Sequence, residues 1–369
     1  MKLLITGAKG FVGKNLIAEL RNQGFQDLLE YDVDTDPAML EKAAKDCDFV
    51  FHLAGVNRPK DQSEFMTGNF GFTSELLDAL KMHGNKAPIL ISSSIQAEQD
   101  NPYGQSKKAG EDLIFQYGKE NGVEVYVYRL PNVFGKWCRP NYNSAVATFC
   151  NNIAHGLPIQ VNDPNVQMKL VYIDDVVASF IDKLKNGKSE KEGFEFVEPV
   201  HTVRLGEIVN LIEQFRDSRL TLQVPDMADG FTKKLYSTYL SYLPEDQFSY
   251  LLKMNVDQRG SFTEFLKSPE RGQVSVNISK PGITKGNHWH HTKNEKFLVV
   301  SGTGVIRFRK IDTEDIIEYF VSGEKLEVVD IPVGYTHNIE NLGETDMVTV
   351  MWVNEIFDKE RPDTFFLVV

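Results

Sequence analysis

Cysteine is scarce in this chain of 369 residues, which contains only Cys47, Cys138 and Cys150. An odd number without a C-x-x-C pair argues against a framework of disulfide bonds and fits a reducing compartment. Long apolar runs are also missing. None approaches the length that spans a membrane, and the apolar start of the chain breaks at Gly7 before the core of a secretory signal could form. We therefore expect a soluble cytoplasmic protein without insertion into a membrane.

Basic residues are outnumbered by acidic ones. The 40 Lys and Arg residues against 52 Asp and Glu give a formal net charge of −12, which argues against nucleic acid or an anionic membrane as the main partner. A local basic pocket for one phosphorylated ligand is compatible with this balance. The other proportions, 41% hydrophobic and 25% charged residues, are those of a folded protein, and the length favours two domains.

The pattern of apolar residues differs between the two ends of the sequence. Up to about residue 184, short apolar runs alternate with segments of helical period, which predicts βα units over a parallel sheet. From about residue 248, short β-rich runs separated by Gly, Pro and Asn turns predict a sandwich or barrel. The clearest of these strands are 274–279, 295–301, 305–309 and 347–353. With most of 185–247 assigned to the first domain, we predict an α/β domain over 1–245 and an all-β domain over 246–369.

The first predicted strand, residues 2–6, runs directly into a glycine-rich turn and a predicted helix over 12–22. Glycine permits the tight turn and lets backbone N–H groups approach a pyrophosphate, whose charge the helix N-terminus favours. Asp32, at the end of the second predicted strand, can accept hydrogen bonds from the adenosine ribose, or it is a solvated loop acid beside Asp34 and Asp36. The pattern predicts a Rossmann-type dinucleotide site on a doubly wound sheet. Its turn residues are Gly7, Gly10, Phe11, Val12 and Gly13.

The glycine spacing G-x-x-G-x-x-G resembles that of the extended short-chain dehydrogenase/reductase family. Further motifs in the same order extend the resemblance over about residues 1–240; they are His52-Leu53-Ala54-Gly55, Ser92-Ser93-Ser94, Tyr103-x-x-x-Lys107, Arg129-Leu130-Pro131-Asn132-Val133-Phe134-Gly135 and Val171-Tyr172-Ile173-Asp174-Asp175-Val176. The resemblance implies an NAD(P)-dependent enzyme in which Leu53, Ala54 and Gly55 lie beside the cofactor.

The Ser, Tyr and Lys residues are the predicted catalytic group. Tyr103 and Lys107 are four positions apart and share one face of a helix. The Lys107 ammonium can lower the tyrosine pKa and bind the nicotinamide ribose, so that Tyr103 exchanges a proton near neutral pH. Ser94 would hydrogen-bond the substrate carbonyl. Only nine positions separate Ser94 from Tyr103, fewer than the family usually has, so Ser92 and Ser93 stay open as alternatives.

Residues 143–161 and 169–172 resemble members of the family that act on nucleotide-linked sugars. The resemblance implies that side chains of this region hold the nucleotide diphosphate. Asn132, Arg139 and Lys169 are the candidates, and basic groups suit phosphate.

Histidines in the second domain form a predicted metal site. His288 and His290 are two apart and project from one face of a strand, and Glu295 and His337 can complete the cluster. Three imidazoles and a carboxylate suit Zn²⁺, Fe²⁺, Mn²⁺ or Ni²⁺. We expect one divalent metal, with zinc as the first choice; the alternative is a polar surface patch of histidines.

These histidine segments resemble the paired motifs of the cupin superfamily, except that Leu326 stands where the second motif usually begins with glycine. Residues 257–262 and 273–277 resemble cupin epimerases of 4-keto-6-deoxy nucleotide sugars. The resemblance implies a cupin barrel over 246–369. In those epimerases the histidine matching His288 acts as a base without a metal, whereas the neighbouring pattern here makes His288 a metal ligand, so the base is left unassigned.

A reductase of this family fused to such a cupin resembles, over the whole chain, bifunctional enzymes of capsule polysaccharide synthesis. The resemblance implies that the cupin inverts C3 of a UDP-linked 4-keto-6-deoxy-N-acetylhexosamine. The other domain would then reduce C4 with NADPH to give a UDP-N-acetyl-6-deoxytalosamine. Chemistry sets the order independently, because a C3 proton can leave only while C4 is a ketone, and reduction destroys that ketone. Family habit and exposed sheet edges suggest a homodimer.

Three questions stay open at this point. In the first hypothesis both domains are enzymes. In the second, only the first domain is an enzyme, and the cupin is a dimerisation module stabilised by a metal. In the third, the protein is a regulator that senses a dinucleotide, which the intact Tyr103 and Lys107 disfavour. A metal could act as a Lewis acid or staple the barrel, and we favour the staple. The acidic residues around Asp32 would repel the 2′-phosphate of NADPH and so favour NADH, although Arg58 or Lys60 could offset their charge. The family resemblance implies NADPH, and we follow it.

Overall fold

The computed structural model describes residues 1–187 and 193–369, so part of the charged stretch after residue 185 lies outside the described residues. The described chain divides into two compact units. The first contains Met1–Glu213 and Asp229–Pro244, and the second contains Gln214–Ala228 and Glu245–Val369.

The segment 214–228, expected in the first domain, groups with the second unit. The backbone N–H of Val224 donates to the carbonyl of Lys267 (2.8 Å), and the N–H of Lys267 donates to the carbonyl of Leu222 (2.7 Å). Gln223 forms a parallel β-bridge with Lys267. This pairing joins residues more than forty positions apart, so neither composition nor local period could predict it.

The first unit is an α/β structure. Its strands are β1 (Leu3–Thr6), β2 (Leu28–Tyr31), β3 (Phe49–His52), β4 (Ile89–Ser94), β5 (Val125–Leu130), β6 (Asn132–Phe134), β7 (Gln167–Tyr172), β8 (Phe194–Glu195) and β9 (His201–Arg204). Its helices are α1 (Phe11–Asn22), α2 (Ala38–Asp46), α3 (Ser63–Phe65), α4 (Phe72–Met82), α5 (Pro102–Asn121), α6 (Ala145–Ala154), α7 (Ile173–Asn186), α8 (Leu205–Thr221), which continues into the second unit, and α9 (Gly230–Leu240). A π-helical turn, Met66–Gly71, joins α3 to α4.

A six-stranded parallel sheet in the order β2-β1-β3-β4-β5-β8 forms the centre of this unit. All four residues of β1 are buried, as in a strand covered on both faces. Leu3 and Leu4 point to opposite faces, and each joins a separate apolar core, the first with Leu16 of α1 and the second with Leu76 of α4. The predicted doubly wound, Rossmann-type sheet is therefore confirmed.

Helix α5 has clear local signals at both ends. The side chain of Asn101 accepts the N–H of Gly104 (2.8 Å), and Pro102 occupies the first turn, where no N–H partner is needed. Gly122 ends the helix with φ of 63°, a conformation that glycine adopts without strain. These signals place the predicted Tyr and Lys pair within the first two turns of a helix of 20 residues.

The second unit is rich in antiparallel strands. They are β10 (Asn255–Asp257), β11 (Gly260–Ser268), β12 (Gly272–Ser279), β13 (Thr284–Trp289), β14 (Glu295–Ser301), β15 (Thr303–Lys310), β16 (Ile316–Ser322), β17 (Val328–Ile331), β18 (Tyr335–Asn341), β19 (Met347–Val353) and β20 (Phe365–Phe366). The four clearest strands expected from the sequence all lie within β12, β14, β15 and β19.

Two sheets make up this unit, in the orders β10-β11-β12-β19-β14-β17 and β16-β15-β18-β13-β20. One apolar core contains side chains of both, including Phe297 of β14 and Phe308 of β15. The residues that the structure describes pair only within each sheet, so the antiparallel architecture is shown and a closed cupin barrel stays a prediction. Within the described part of the chain, no helix is long and apolar enough to cross a membrane.

Candidate active sites

The glycine-rich turn after β1 requires glycine where it approaches β3. A Cβ atom on Gly7, whose φ is 70°, would lie 2.7 Å from the backbone N of Ala54, and one on Gly13 would lie 2.3 Å from the carbonyl oxygen of Gly7. The turn closes with a hydrogen bond from the Gly10 N–H to that same oxygen (3.0 Å), and α1 begins at Phe11. The first N–H groups of α1 therefore face the carboxyl edge of the parallel sheet, where anions bind.

Asp32 follows β2 and joins this turn. Its two carboxylate oxygens accept the backbone N–H groups of Lys9 (2.7 Å) and Val33 (2.8 Å). The Lys9 ammonium forms an ion pair with Asp34 (2.5 Å), and this bond raises the pKa of Lys9 and lowers that of Asp34. Asp32 is thus bonded to the turn, unlike the solvated loop acid considered as its alternative.

The predicted catalytic side chains meet between β4 and α5. The Lys107 ammonium donates to the carbonyl of Ser92 (3.3 Å), and the hydroxyl of Ser94 lies close enough to the phenol of Tyr103 to lower its pKa. The Ser93 hydroxyl instead donates to the buried carboxylate of Glu111 (2.6 Å). Of the three serines proposed from the sequence, the structure therefore places Ser94 beside Tyr103, because alternate side chains of a strand point to opposite faces.

The two titratable groups of this site shift in different directions. Burial lowers the pKa of Lys107 to about 8, against the opposing effect of the Glu111 carboxylate. Burial raises the pKa of Tyr103, and the neighbouring Ser94 hydroxyl offsets only part of this. A lowered tyrosine pKa was expected from Lys107, and the structure shows the reverse because desolvation of the phenolate dominates.

Asn69 in the π-helical turn is a site residue that the sequence did not reveal. Its buried amide accepts the N–H of Val56 (2.8 Å) and donates to the Ser106 hydroxyl (2.9 Å). A Cβ atom on Gly55 would lie 2.9 Å from Oδ1 of Asn69 and 3.0 Å from Nζ of Lys107. Gly55 therefore allows a close approach of three chain segments, which no spacing in the sequence predicts.

A buried ion pair lies next to the candidate catalytic group. The Arg129 guanidinium makes two hydrogen bonds to the Glu111 carboxylate (3.0 and 2.7 Å), and Glu111 also accepts the hydroxyl of Ser93. The third guanidinium nitrogen, Nη1, donates to Glu98 (2.6 Å), so each nitrogen of this guanidinium has a carboxylate partner. The pair lies one helical turn beyond Lys107, whose charged form it favours.

A cleft of about 1810 Å³ is lined by the glycine-rich turn, by Asp32, and by the Ser94, Tyr103 and Lys107 group. Asn132 and Arg139, two of the predicted substrate-binding residues, line it, together with Trp137 and Tyr142, which the sequence did not single out. The third prediction, Lys169, is not supported by its placement. Its side chain is exposed, whereas its neighbours Met168 and Leu170 line the cleft, since β7 alternates its faces.

The second unit brings its four predicted metal ligands together. One side-chain ligand atom from each of His288, His290, Glu295 and His337 lies within 4.8 Å of the others. Oε2 of Glu295 is 3.6 Å from Nε2 of His290 and 3.2 Å from Nε2 of His337. His288 lies directly opposite His337 across β13 and β18, after a bulge at which Asn287 has a positive φ of 61°. The alternative of a polar surface patch is not what the structure shows, because three of the four are buried.

The protonation of this cluster suits a cation. Burial lowers the pKa of His288 to about 4, so its imidazole is neutral at pH 7. Burial raises the pKa of Glu295, but the neighbouring imidazoles of His290 and His337 outweigh this effect and hold the pKa at about 2. Nε2 of His290, Oε2 of Glu295 and both ring nitrogens of His337 are buried without a well-oriented partner among the described residues. Such atoms are expensive to bury unpaired. A divalent metal of the zinc type would satisfy Nε2 of His290, Oε2 of Glu295 and one ring nitrogen of His337, since an imidazole gives a metal ion only one of its nitrogens.

A cavity of about 760 Å³ opens onto this cluster. Residues of the predicted 257–262 motif line it, among them Asp257 and Arg259, and so do two lysines that the sequence did not single out. One is Lys285, whose ammonium donates to the Asn277 side chain and to a backbone carbonyl, both at 2.8 Å. The other is Lys293, which is 5% exposed. The cavity therefore combines the cluster with buried positive charge.

Comparison with known proteins places the chain in a family. Residues 3–197, more than half of the chain, match the sequence profile described as the NAD dependent epimerase/dehydratase family. The chain belongs to this family. Residues 255–365 match a second profile, the polysaccharide biosynthesis C-terminal domain. The dinucleotide turn and the Ser94, Tyr103 and Lys107 group lie within the first profile, and all four predicted metal ligands lie within the second.

This member of the epimerase/dehydratase family is similar to characterised proteins over its whole length. UDP-2-acetamido-2,6-beta-L-arabino-hexul-4-ose reductase of Pseudomonas aeruginosa is 47% identical over 365 residues, which cover 99% of this chain and 98% of that protein. The structure of the capsular polysaccharide assembling protein CapF of Staphylococcus aureus superimposes with a TM-score of 0.95 at 60% identity and covers both chains completely. A structure of CapF with the inhibitor 3-isopropenyl-tropolone gives a TM-score of 0.90 at 55% identity, again over both whole chains. The resemblance to CapF-type enzymes expected from the order of the two domains is confirmed.

Proposed function

We propose that this chain is a bifunctional nucleotide-sugar enzyme of capsule polysaccharide synthesis. Residues 246–369 would epimerise C3 of a UDP-linked 4-keto-6-deoxy-N-acetylhexosamine, and residues 1–245 would reduce its C4 ketone with NADPH to UDP-2-acetamido-2,6-dideoxy-L-talose. The observation that carries the proposal is that the Ser94, Tyr103 and Lys107 group lies in a dinucleotide cleft of a chain 47% identical, over its whole length, to a reductase of such a ketosugar.

The reduction needs a proton for the C4 oxygen. Bound NADPH supplies the hydride that goes to C4. Because burial raises the pKa of Tyr103, the phenol keeps its proton at neutral pH and is suited to donate it to the developing alkoxide. The Ser94 hydroxyl, which lies beside the Tyr103 phenol, would orient the same oxygen. The Lys107 ammonium, held by the carbonyl of Ser92, would stabilise the tyrosinate that remains.

NADPH is proposed over NADH because of Lys9. Its exposed ammonium lies at the edge of the cleft beside Asp32 and is paired with Asp34, and a 2′-phosphate, with its greater charge, would compete for it. Arg58 and Lys60, considered from the sequence, are not among the described residues that line the cleft. Comparison of kcat/KM for the two cofactors tests this choice, and a clear preference for NADH would overturn it.

A metal, which we propose to be Zn²⁺, fits the second unit. His288 and His337 stand on β13 and β18 of one sheet, whereas Glu295 begins β14 of the other. His288, His290, Glu295 and His337 would hold the ion, which supplies a charge that binds both sheets together. This arrangement supports a structural staple in a cupin-type barrel. It leaves the epimerase base to another group of the cavity.

Epimerisation has a direct test that does not depend on reduction. The full-length Tyr103→Phe variant, incubated in D₂O with the ketosugar and without NADPH, should still incorporate deuterium at C3, as measured by NMR or mass spectrometry. The wild type with NADPH should oxidise the cofactor. Cofactor oxidation without any exchange at C3 would reject the bifunctional proposal in favour of the alternative, a reductase with a metal-stapled dimerisation module.

A homodimer is part of the proposal. Strand β16 lies at the edge of its sheet and exposes apolar side chains, with Ile316 54% and Phe320 69% accessible. An apolar edge strand favours pairing with another copy. Light scattering of the full-length chain as it elutes from a size-exclusion column should give about twice the monomer mass. A monomer mass at micromolar concentration would contradict this part of the proposal.

A further inference from the structure

Asp363 binds the loop that follows β13 through its carboxylate. One oxygen accepts the backbone N–H of His291 (3.0 Å). The other accepts the N–H groups of Thr292 (2.9 Å) and Lys293 (2.8 Å) and the hydroxyl of Thr292 (3.1 Å). Although partial burial works against the charged form, these bonds hold the pKa of Asp363 well below its usual range. One side chain thus fixes the backbone of three consecutive residues.

The same residue contacts His290 through its backbone. The carbonyl oxygen of Asp363 lies 2.6 Å from Nδ1 of His290. A carbonyl can only accept, so this bond requires the proton on Nδ1 and leaves Nε2 with a free lone pair. That Nε2 is the buried atom that faces Glu295 at 3.6 Å. Asp363 therefore selects the tautomer with which His290 can bind a cation.

The backbone conformation at Asp363 makes both contacts compatible. Its φ is 40°, in the left-handed region that few residues other than glycine, Asn and Asp adopt. The loop also donates hydrogen bonds to the segment around Asp363. The Lys293 ammonium donates to the carbonyl of Pro362 and to the hydroxyl of Thr364 (3.2 Å). Residues 362–364 and the loop 290–293 are thus tied by bonds that run in both directions.

We propose that Asp363 is the positioning residue of the candidate metal centre. The loop that Asp363 holds, residues 291–294, connects two of the four ligands, His290 and Glu295. The backbone carbonyl of Asp363 orients the first of these, His290. This inference rests on the metal site of the proposed function. It goes beyond that site by assigning to Asp363, which is outside the ligand set and 26 residues after His337, control over how tightly a metal binds.

Metal affinity of the full-length chain tests the proposal. Zn²⁺ affinity is measured by competition with a chelator, and the geometry of the site by the visible absorption of bound Co²⁺. Asp363→Gly removes the carboxylate and tolerates the positive φ, so it should bind Zn²⁺ about 10- to 100-fold more weakly, the usual effect of losing a group that orients a ligand. Asp363→Asn keeps one acceptor oxygen and the backbone conformation, and it should fall between Asp363→Gly and the wild type.

The matched control is Asp358→Asn. Asp358 lies in the same C-terminal segment and is exposed, and among the described residues its carboxylate contacts only the nearby Glu360 and Arg361. Asp358→Asn loses the same charge as Asp363→Asn, and its affinity for Zn²⁺ should stay within about twofold of the wild type. Hydrogen exchange adds a readout that does not involve activity. Zn²⁺ should slow exchange of the 291–293 amides in the wild type, and much less so in Asp363→Gly.

Each outcome decides the matter. Unchanged affinity and an unchanged Co²⁺ spectrum in Asp363→Gly would overturn the positioning role while leaving the metal site intact. A wild type that binds neither Zn²⁺ nor Co²⁺ would overturn the metal site and this inference together. Where Asp363→Gly does not fold, Asp363→Asn decides by the same criterion. A purely structural role would lower Tm equally with and without Zn²⁺, whereas a positioning role reduces the gain in Tm that Zn²⁺ produces.

Discussion

The two units differ in how their buried polar groups are satisfied. In the first, Glu111 is bonded by Arg129 and Ser93, and the Asn69 amide is bonded by Val56 and Ser106. In the second, polar atoms of three buried side chains face one another without well-oriented partners among the described residues. The first site is therefore organised by the protein alone. The second offers a group of lone pairs that a divalent cation would satisfy.

The largest expected effect separates the chemistry of the two units. Tyr103→Phe removes the proposed proton donor of the first unit but keeps its ring, so cofactor oxidation with the ketosugar should fall by about 10²- to 10⁴-fold. Binding of NADPH, measured by fluorescence, and deuterium exchange at C3 should persist. Loss of exchange in this variant would contradict the proposed assignment of the two activities to separate units.

Removal of the metal should affect the second unit only. If Zn²⁺ is present at about a thousand times its Kd, chelation removes about 4 kcal/mol of stability, which lowers the Tm of that unit by roughly ten degrees or more. His337→Ala should have the same effect without a chelator. His155→Ala, which changes an exposed histidine of the first unit, is the control and should leave both Tm and zinc content unchanged.

Gly55→Ala probes the close approach in the first unit. The added Cβ would lie 2.9 Å from Asn69 and 3.0 Å from the Lys107 ammonium, so displacement of these groups should lower the reductase kcat/KM about 10- to 100-fold. Gly230→Ala is matched, since an added Cβ there meets nothing within 4 Å. Equal kinetics for the two variants would contradict the role assigned to Gly55.

The smallest effect is a change with pH. The folded-state pKa of Lys107, about 8, lies below the ordinary value of 10.5, so the ammonium is charged below pH 8 and lost above it. Reductase kcat/KM should fall about tenfold per pH unit above that point, while Tyr103, with its raised pKa, stays protonated. Because the unfolded chain holds the proton longer, this group makes the fold more stable as pH rises from 8 to 10.5.

A control keeps this profile specific. Lys108, the next residue, is exposed and pairs with Asp112 on the helix surface (2.9 Å). Lys108→Met should leave the pH profile unchanged, whereas Lys107→Met should abolish most activity at all pH values. A basic limb that persists unchanged in a still-active Lys107→Met variant would assign the titration to another group.

Local periods in the sequence determined much of this protein. The glycine turn, the pair of Tyr103 and Lys107, and the pair of His288 and His290 follow from spacings of two, three or four residues, which helix and strand geometry convert into shared faces. Asp32, Glu295 and His337 came from their places in longer motifs. For these reasons the parallel sheet, the antiparallel strands and the four candidate ligands could be predicted from the sequence.

Only the tertiary structure decided the rest. It placed Ser94 rather than Ser93 beside Tyr103, turned Lys169 away from the cleft, moved 214–228 to the second unit, and brought Asn69 and Asp363 to the two sites. Each of these depends on strand register or on a contact between residues far apart in the chain. Register and packing are set by the fit of whole surfaces, and no local pattern of side chains contains that information.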